Sequence, residues 1–319
     1  MSGGLNVPIL FLIFNRSDTA EKVFERIREI KPAKLYAAAD GPRPDKEGEA
    51  AKCEETRAII EKVDWPCDVQ TLFREENLGC KDAVSGAIDW FFENEPEGII
   101  LEDDCHPDLS FFGFCRELLE RYRDDMRIGT ISGTNFLRGN HATTYSYHFS
   151  GLPGCWGWAT WRRAWKTADM KMACWPEAEE NEWLKNVLRR PEAVEHWTRC
   201  FRAVHAEKIN TWAYRWVFTS MIQNYLTVIP SRNLVTNIGL GHEDAAHTSR
   251  SSETYFVPSE EMPFPLKHPP FVFKDCGADH YTDKYVTGVK TAFQRKLKRL
   301  KRHKRNFVKK MKKHILRRK

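Results

Sequence analysis

The stretch "GIILEDDCHP", residues 98–107, sets the problem that this sequence poses. Its apolar part, Ile99-Ile100-Leu101, reads as a buried strand, and it runs straight into three carboxylates, Glu102, Asp103 and Asp104. Neighbouring like charges repel, and burying any of them without a partner is costly. The strand end therefore needs a divalent cation, a Lys or Arg, or plain water. Oxygen ligands of this kind suit Mg²⁺ or Mn²⁺, which would bridge the carboxylates to phosphate oxygens. The bland alternative is a solvated acidic loop.

Outward from that strand, the first 135 residues alternate between strand and helix patterns. "VPILFLIF" (7–14) is a buried strand, followed by a helix start at Ser17-Asp18-x-x-Glu21 and apolar residues Val23, Phe24, Ile27 and Ile30 at helical spacing. "KLYAAAD" (34–40) is a second strand, stopped by Gly41-Pro42-Arg43-Pro44, and a charged helical stretch runs to about Val63. "DVQTLF" (68–73) is a third strand. "NLGCK" (77–81) opens a helix with an apolar face of Val84, Ala87, Ile88, Phe91 and Phe92. A helix over 109–123 and a strand at 128–132 complete the series. Repeated βα units predict an α/β, Rossmann-like fold with a mostly parallel sheet flanked by helices. Ligands of such sheets bind beyond the carboxyl ends of the strands. Three of those ends are Asn15-Arg16, Asp40-Gly41 and Glu102-Asp103-Asp104, all polar.

Residues 136–228 are denser in Trp, with "LPGCWGWATWRRAW" (152–165) at their centre and helices expected over 178–206 and 211–224. The stretch 229–285 reads as loops with short strands. The expected layout is one domain over 1–285, in two halves, 1–135 and 136–285, then a basic tail over 286–319. Sixteen of the fifty Lys and Arg lie from Lys290 onward, where there is no Asp or Glu, leaving 34 basic against 44 acidic residues in the body. Apolar residues in the tail recur at steps of three, four or seven, which suits a basic helix at an anionic membrane surface. A solvated cationic tail and an RNA-binding helix are the alternatives, the latter disfavoured. No run is long and apolar enough to span a bilayer. No secretory signal is visible, and nine cysteines without zinc spacing read as reduced thiols in the cytoplasm.

Several residues carry possible chemistry. Arg16 suits a phosphate or a base edge, and Asp40 a base or ribose donor, although Asp-Gly-Pro is also ordinary turn chemistry. Lys81, at a helix start after Gly79, suits a pyrophosphate. Neither a Walker A loop nor a G-x-G-x-x-G fingerprint occurs. Trp156, Trp158 and Trp161 offer either a platform for sugar faces or simple core packing.

Taken in order, "FNR", "DGPR", "NLGC", "ILEDDC", "WGWATW", "TWAYRW" and "NIGLGHEDAAHT" resemble the GT-A fold glycosyltransferases over about residues 7–250. More narrowly they are similar to bacterial relatives of the N-acetylglucosaminyltransferase I group, in which the D-x-D motif takes the form E-D-D. The resemblance implies a UDP-sugar donor, Mn²⁺ or Mg²⁺, a glycan or lipid-linked glycan acceptor and inverting transfer in surface polysaccharide assembly. It places Asp40 on the nucleobase, Asn15 and Arg16 beside base or phosphate, and Lys81 near the nucleotide. Glu102 would face the donor sugar, Asp103 the ribose, and Asp104 the metal, with His247 as a second metal or pyrophosphate contact. Trp156, Trp158 and Trp212 would shape the acceptor side.

One departure stands out. Where the relatives carry an Asp at the third position of "TW-x-Y-x-W", this chain has Ala213. That carboxylate would deprotonate the acceptor hydroxyl. The expectation is a deliberate replacement that leaves binding with little turnover, against another base or a lost activity. The rival readings are a non-catalytic nucleotide- or glycan-binding protein and a nucleotidyltransferase. "FNRSDTAEK" lacks the glycine-rich loop that the latter needs.

Overall fold

The structure, a computed structural model, describes residues 5–141, 143–241, 255–291 and 294. His247, the neighbouring His242, Glu243 and Asp244, and nearly all of the basic tail lie outside the described residues.

The apolar runs become strands and the amphipathic runs become helices in the expected order. β1 (Ile9–Ile13), α1 (Ser17–Ile30), β2 (Lys34–Ala39), α2 (Glu49–Arg57), β3 (Asp68–Phe73), α3 (Gly79–Asn94) and β4 (Glu97–Glu102) form the first half. After the acids come β5 (Cys105–Pro107), α4 (Ser110–Arg121) and β6 (Ile128–Ser132). The middle adds β7 (Tyr147–Ser150), β8 (Trp158–Trp161), the short α5 (Arg162–Trp165), α6 (Trp175–Glu180), α7 (Leu184–Val187), α8 (Pro191–His205) and α9 (Ala213–Ile222). β9 (Leu226–Pro230), β10 (Val235–Asn237) and α10 (Cys276–Tyr285) complete the chain order.

Eight strands form one sheet in the order β3-β2-β1-β4-β8-β6-β9-β7. β1, β2, β3 and β4 pair in parallel, as do β6 and β9, while β8 and β7 run against their neighbours. The sheet is thus mostly parallel in strand direction. β1 is buried along its whole length because helices cover both faces. α1 and α4 pack their apolar faces on one side, and α3 packs on the other with a Trp cluster. A third core lies among α6, α7, α8 and α9, around Trp175, Trp197, Phe201 and Phe218.

Three sequence expectations change. The helix expected over 178–206 is three pieces, because Glu182 adopts a left-handed φ of 54° and Pro191 starts a new helix at α8. α10 occupies a stretch expected to be loop, with the Asp275 carboxylate capping it by accepting from the Gly277 and Ala278 amides. The boundary at 135/136 falls inside the sheet, since β8 from the second half sits between β4 and β6 of the first. All nine cysteines are unbonded. Among the described residues no helix is long and apolar enough to cross a membrane.

Candidate functional site

A cavity of about 770 Å³ opens at the carboxyl ends of β1, β2 and β4. The ends of these parallel strands bring Asn15, Arg16, Asp40, Glu102, Asp103 and Asp104 to it from distant parts of the chain, because a parallel sheet points every such end the same way. The far wall is Trp212, Ala213 and Tyr214 at the start of α9, with Trp156 and Tyr255.

Arg16 is the positive neighbour of the acidic strand end. Its guanidinium bonds Asp103 Oδ1 through Nη2 and Asp104 Oδ2 through Nη1, the latter at 3.0 Å. The base or phosphate expected beside Arg16 would therefore meet a group already holding two carboxylates. One cation does not balance three acids. Burial, followed by Asp104 and Asp103, pushes the Glu102 carboxyl up to about 8, with Arg16 pulling the other way. Burial likewise pushes Asp103 up to about 6 in spite of Arg16. The second oxygen of Asp103, Oδ2, is buried with no partner.

Behind the acids, β10 pairs antiparallel with β5 and carries the chain back over Asp104. The Ile238 amide donates to the Asp104 carbonyl at 2.8 Å. Gly239 then passes so close that a Cβ there would lie 2.6 Å from both Arg16 Nη1 and Asp104 Oδ2. Only a glycine leaves room for that pair.

Asp40 is committed to the protein. Its Oδ1 accepts from the Leu78 amide at 2.9 Å and the Gly41 amide at 3.0 Å, and its Oδ2 accepts from the Gly79 amide at 2.9 Å. It thus caps the start of α3, which the "NLGC" loop opens, instead of presenting a free carboxylate to a base. Gly41 makes this possible, since a Cβ there would stand 2.4 Å from the Glu76 backbone. Asn15 donates to Glu49 Oε1 at 2.9 Å, and Glu49 is also clamped by the Arg43 guanidinium and backbone. Arg43 lies over the Phe14 ring at 5.7 Å. Glu49 had no signal in the sequence beyond being one of many acids in a charged helix.

Other expected residues fall elsewhere. Lys81 is not part of the cavity lining; its ammonium lies 3.4 Å from Glu207 and 3.7 Å from Asp82. Trp158 is fully buried, stacked on Trp212 at 5.7 Å and packed against Trp165 and Trp216. It is core, so the acceptor-platform reading fails for it. Trp212 is buried in the same cluster, although it borders the cavity. Trp156 does face the cavity, in a triangle of rings with Phe136 and Tyr255 at 5.5–6.2 Å. Asn237, which opens the "NIGLGHEDAAHT" motif, lines the cavity as well, and so does Tyr255, which the sequence did not single out.

The donor set fits a hard divalent cation. It is oxygen-only, it carries surplus negative charge, and Asp103 Oδ2 is an orphaned acceptor. Among the described residues no three His, Cys, Asp or Glu side chains gather into a cage. Mg²⁺-type sites usually hold the ion with one or two carboxylates, water and substrate phosphates, so a full cage is not required.

No family model matches the chain, and no curated protein matches it. Solved structures overlap it loosely. Mouse xyloside xylosyltransferase 1 aligns at 12% identity and TM-score 0.34, over 68% of this chain and 81% of that one. A cytidylyltransferase from Leptospira borgpetersenii aligns at 16% and 0.31, over 52% and 64%. A UDP-glucose pyrophosphorylase bound to UDP-glucose aligns at 13% and 0.26, over 47% and 64%. The chain thus spans less than two thirds of the latter two, and overlaps of this quality carry no argument about activity.

Proposed function

We propose that this chain is a metal-dependent glycosyltransferase that moves a sugar from a UDP-sugar to a hydroxyl of a glycan or lipid-linked glycan. The observation that carries the reading is the surplus of carboxylates, Glu102, Asp103 and Asp104 against Arg16, lining a large cavity at the carboxyl ends of a parallel sheet. UDP, N-acetylglucosamine or a close relative as the sugar, inverting chemistry and a role in bacterial surface polysaccharide assembly rest on the motif resemblance. The tail, outside the described residues, would hold the enzyme to the cytoplasmic face of an anionic membrane.

Asp104, with Asp103 Oδ2, would hold Mn²⁺ or Mg²⁺. Such an ion, when bound, offsets charge on the leaving diphosphate. Arg16 keeps Asp103 and Asp104 oriented and supplies a fixed positive charge beside the phosphate path. Glu102, at the end of β4 and lining the cavity, can accept a hydrogen bond from a sugar hydroxyl. The Phe136–Trp156–Tyr255 rings give the cavity an apolar wall against which a sugar face can lie.

Ala213 is the first residue of α9 and lines the cavity. A carboxylate at that helix N-terminus would be held ionised by the helix dipole, which suits a base that accepts the acceptor's proton. With a methyl group there, the chain as written should bind donor and turn over slowly. The same observation favours a second reading, a nucleotide- or glycan-binding protein without catalysis. Sugar transfer from UDP-, GDP- and CMP-sugars with Mn²⁺ separates the two. An Ala213→Asp variant that gains about 10²–10⁴ in rate supports the transferase. No turnover in either form, with donor bound, leaves the binding protein.

A further inference from the structure

The segment 269–275, "PPFVFKD", meets the edge strand β7 at its end, with Lys274 bridged in parallel to Phe149 and the Asp275 amide donating to the Phe149 carbonyl at 2.7 Å. Burial alternates along 271–274 as the side chains turn to opposite sides. Val272 turns inward and packs on the main core, and Lys274 turns toward Gly151 and Asp279. Phe271 and Phe273 turn the other way, and they are 74% and 58% exposed. Pro269 and Pro270 immediately precede them. No other large hydrophobic side chain among the described residues is as exposed as Phe271.

Two neighbouring phenylalanines held out from a sheet edge are a poor choice for a surface in contact with water alone. The next stretch of chain points to their partner. α10 begins at Cys276 and spans ten residues, about 15 Å, and shortly beyond it Val289 is buried in the third core. From Lys290 onward come the sixteen Lys and Arg with no acid. In sequence the cationic segment thus begins shortly after the two rings, with α10 between them. Stable attachment to a bilayer generally takes two signals, an apolar one and a polybasic one. This chain carries both, in neighbouring stretches of its sequence.

We infer that Phe271 and Phe273 form an apolar wedge that enters the interface of an anionic lipid bilayer, with the basic tail supplying the electrostatic attraction. The inference rests on the reading of the tail as a membrane contact and adds a docking element in the folded body. The tail draws the protein to the surface over about a Debye length, and the rings set how tightly it stays. Because neither ring lines the cavity at the acidic strand ends, docking leaves that cavity's chemistry untouched.

The test is co-sedimentation of the full chain with vesicles of phosphatidylglycerol and phosphatidylcholine, and with pure phosphatidylcholine, at low and high NaCl. The variants are Phe271→Ser/Phe273→Ser and a tail variant with Lys309, Lys310, Lys312 and Lys313 changed to Gln. Both rings are exposed, so the double variant should fold, which its melting curve and nucleotide binding check. The expected result is binding to anionic vesicles that weakens about tenfold or more in the double variant. The tail variant, with four of the sixteen tail cations removed, should instead bind anionic vesicles more weakly at low salt and show a shallower salt dependence. Equal binding by wild type and double variant overturns the wedge and leaves the tail reading standing. Absence of binding to any vesicle overturns both. A wild type that sediments as a dimer, made monomeric by the double variant, makes the patch a self-contact and also overturns the wedge.

Discussion

At the scale of single residues, the acidic strand end is governed by one cation. Removing it with Arg16→Met leaves Asp103 and Asp104 facing each other without a counter-charge, and breaking a buried pair in this way costs about 3–5 kcal/mol. Thermal or urea unfolding at mildly alkaline pH should show that loss, and a loss near zero would mean that solvent screens the pair. Glu102 gives a pH signature. Its pKa is raised in the folded chain, so between roughly 4.5 and 8 the folded state binds protons that the unfolded state has released. The sign is therefore destabilising as pH rises through that window. Glu102→Gln should raise the melting temperature at the upper end of the window and change it little at the lower end. An equal change at both ends would show that burial is not what perturbs Glu102. Asp40→Ala removes the acceptor of three backbone amides and should cost about 1–3 kcal/mol, together with nucleotide affinity, because the loop it holds lines the cavity. Urea midpoints and nucleotide titration check both losses, and an unchanged midpoint would mean that water replaces the carboxylate. The sequence revealed these residues as polar strand ends, but not which would face a ligand. Arg16 and Asp40 look equally available in a string of letters, and only the fold shows that both are already engaged.

At the scale of elements, legibility followed the physics of periodicity. β1, β2 and β4 are mostly apolar and α1, α3 and α4 amphipathic, so an apolar run or a pattern of 3.6 residues identifies them. The tryptophan-rich middle has no such pattern. β8 is a four-residue strand made of Trp, Ala, Thr and Trp, and it is found only because it completes the sheet between β4 and β6. The same limit explains Trp156 and Trp158, two residues apart. An intervening Gly157 with a φ of 62° turns the chain, so one ring faces the cavity and the other enters the core. Trp158→Ala should therefore cost about 3–5 kcal/mol of stability. Trp156→Ala, at a half-buried ring on the edge of the main core, should cost less stability than Trp158→Ala and weaken sugar binding. Comparing urea midpoints with glycan affinity checks the pair, and the reverse pattern would return Trp158 to the binding wall.

At the scale of the whole molecule, one sheet joins the two halves that the sequence separates. Its first half gathers the acids, and its second half, through α9 and β10, closes the cavity and packs Gly239 against Arg16 and Asp104. The long-range contact between Arg16 and Asp104 was latent in the strand order, whereas Gly239 stood inside the "NIGLGHEDAAHT" motif with no role that the sequence could assign it. If the proposed function holds, this junction binds a nucleotide diphosphate through a divalent cation at Asp104. Titration calorimetry of UDP, GDP and CMP into the chain, with and without Mn²⁺, probes that binding without depending on the residue at 213. The expected result is selective UDP binding that requires Mn²⁺ and disappears in Asp104→Ala. Binding that is absent under every condition, or that is indifferent to both the metal and Asp104, would contradict it.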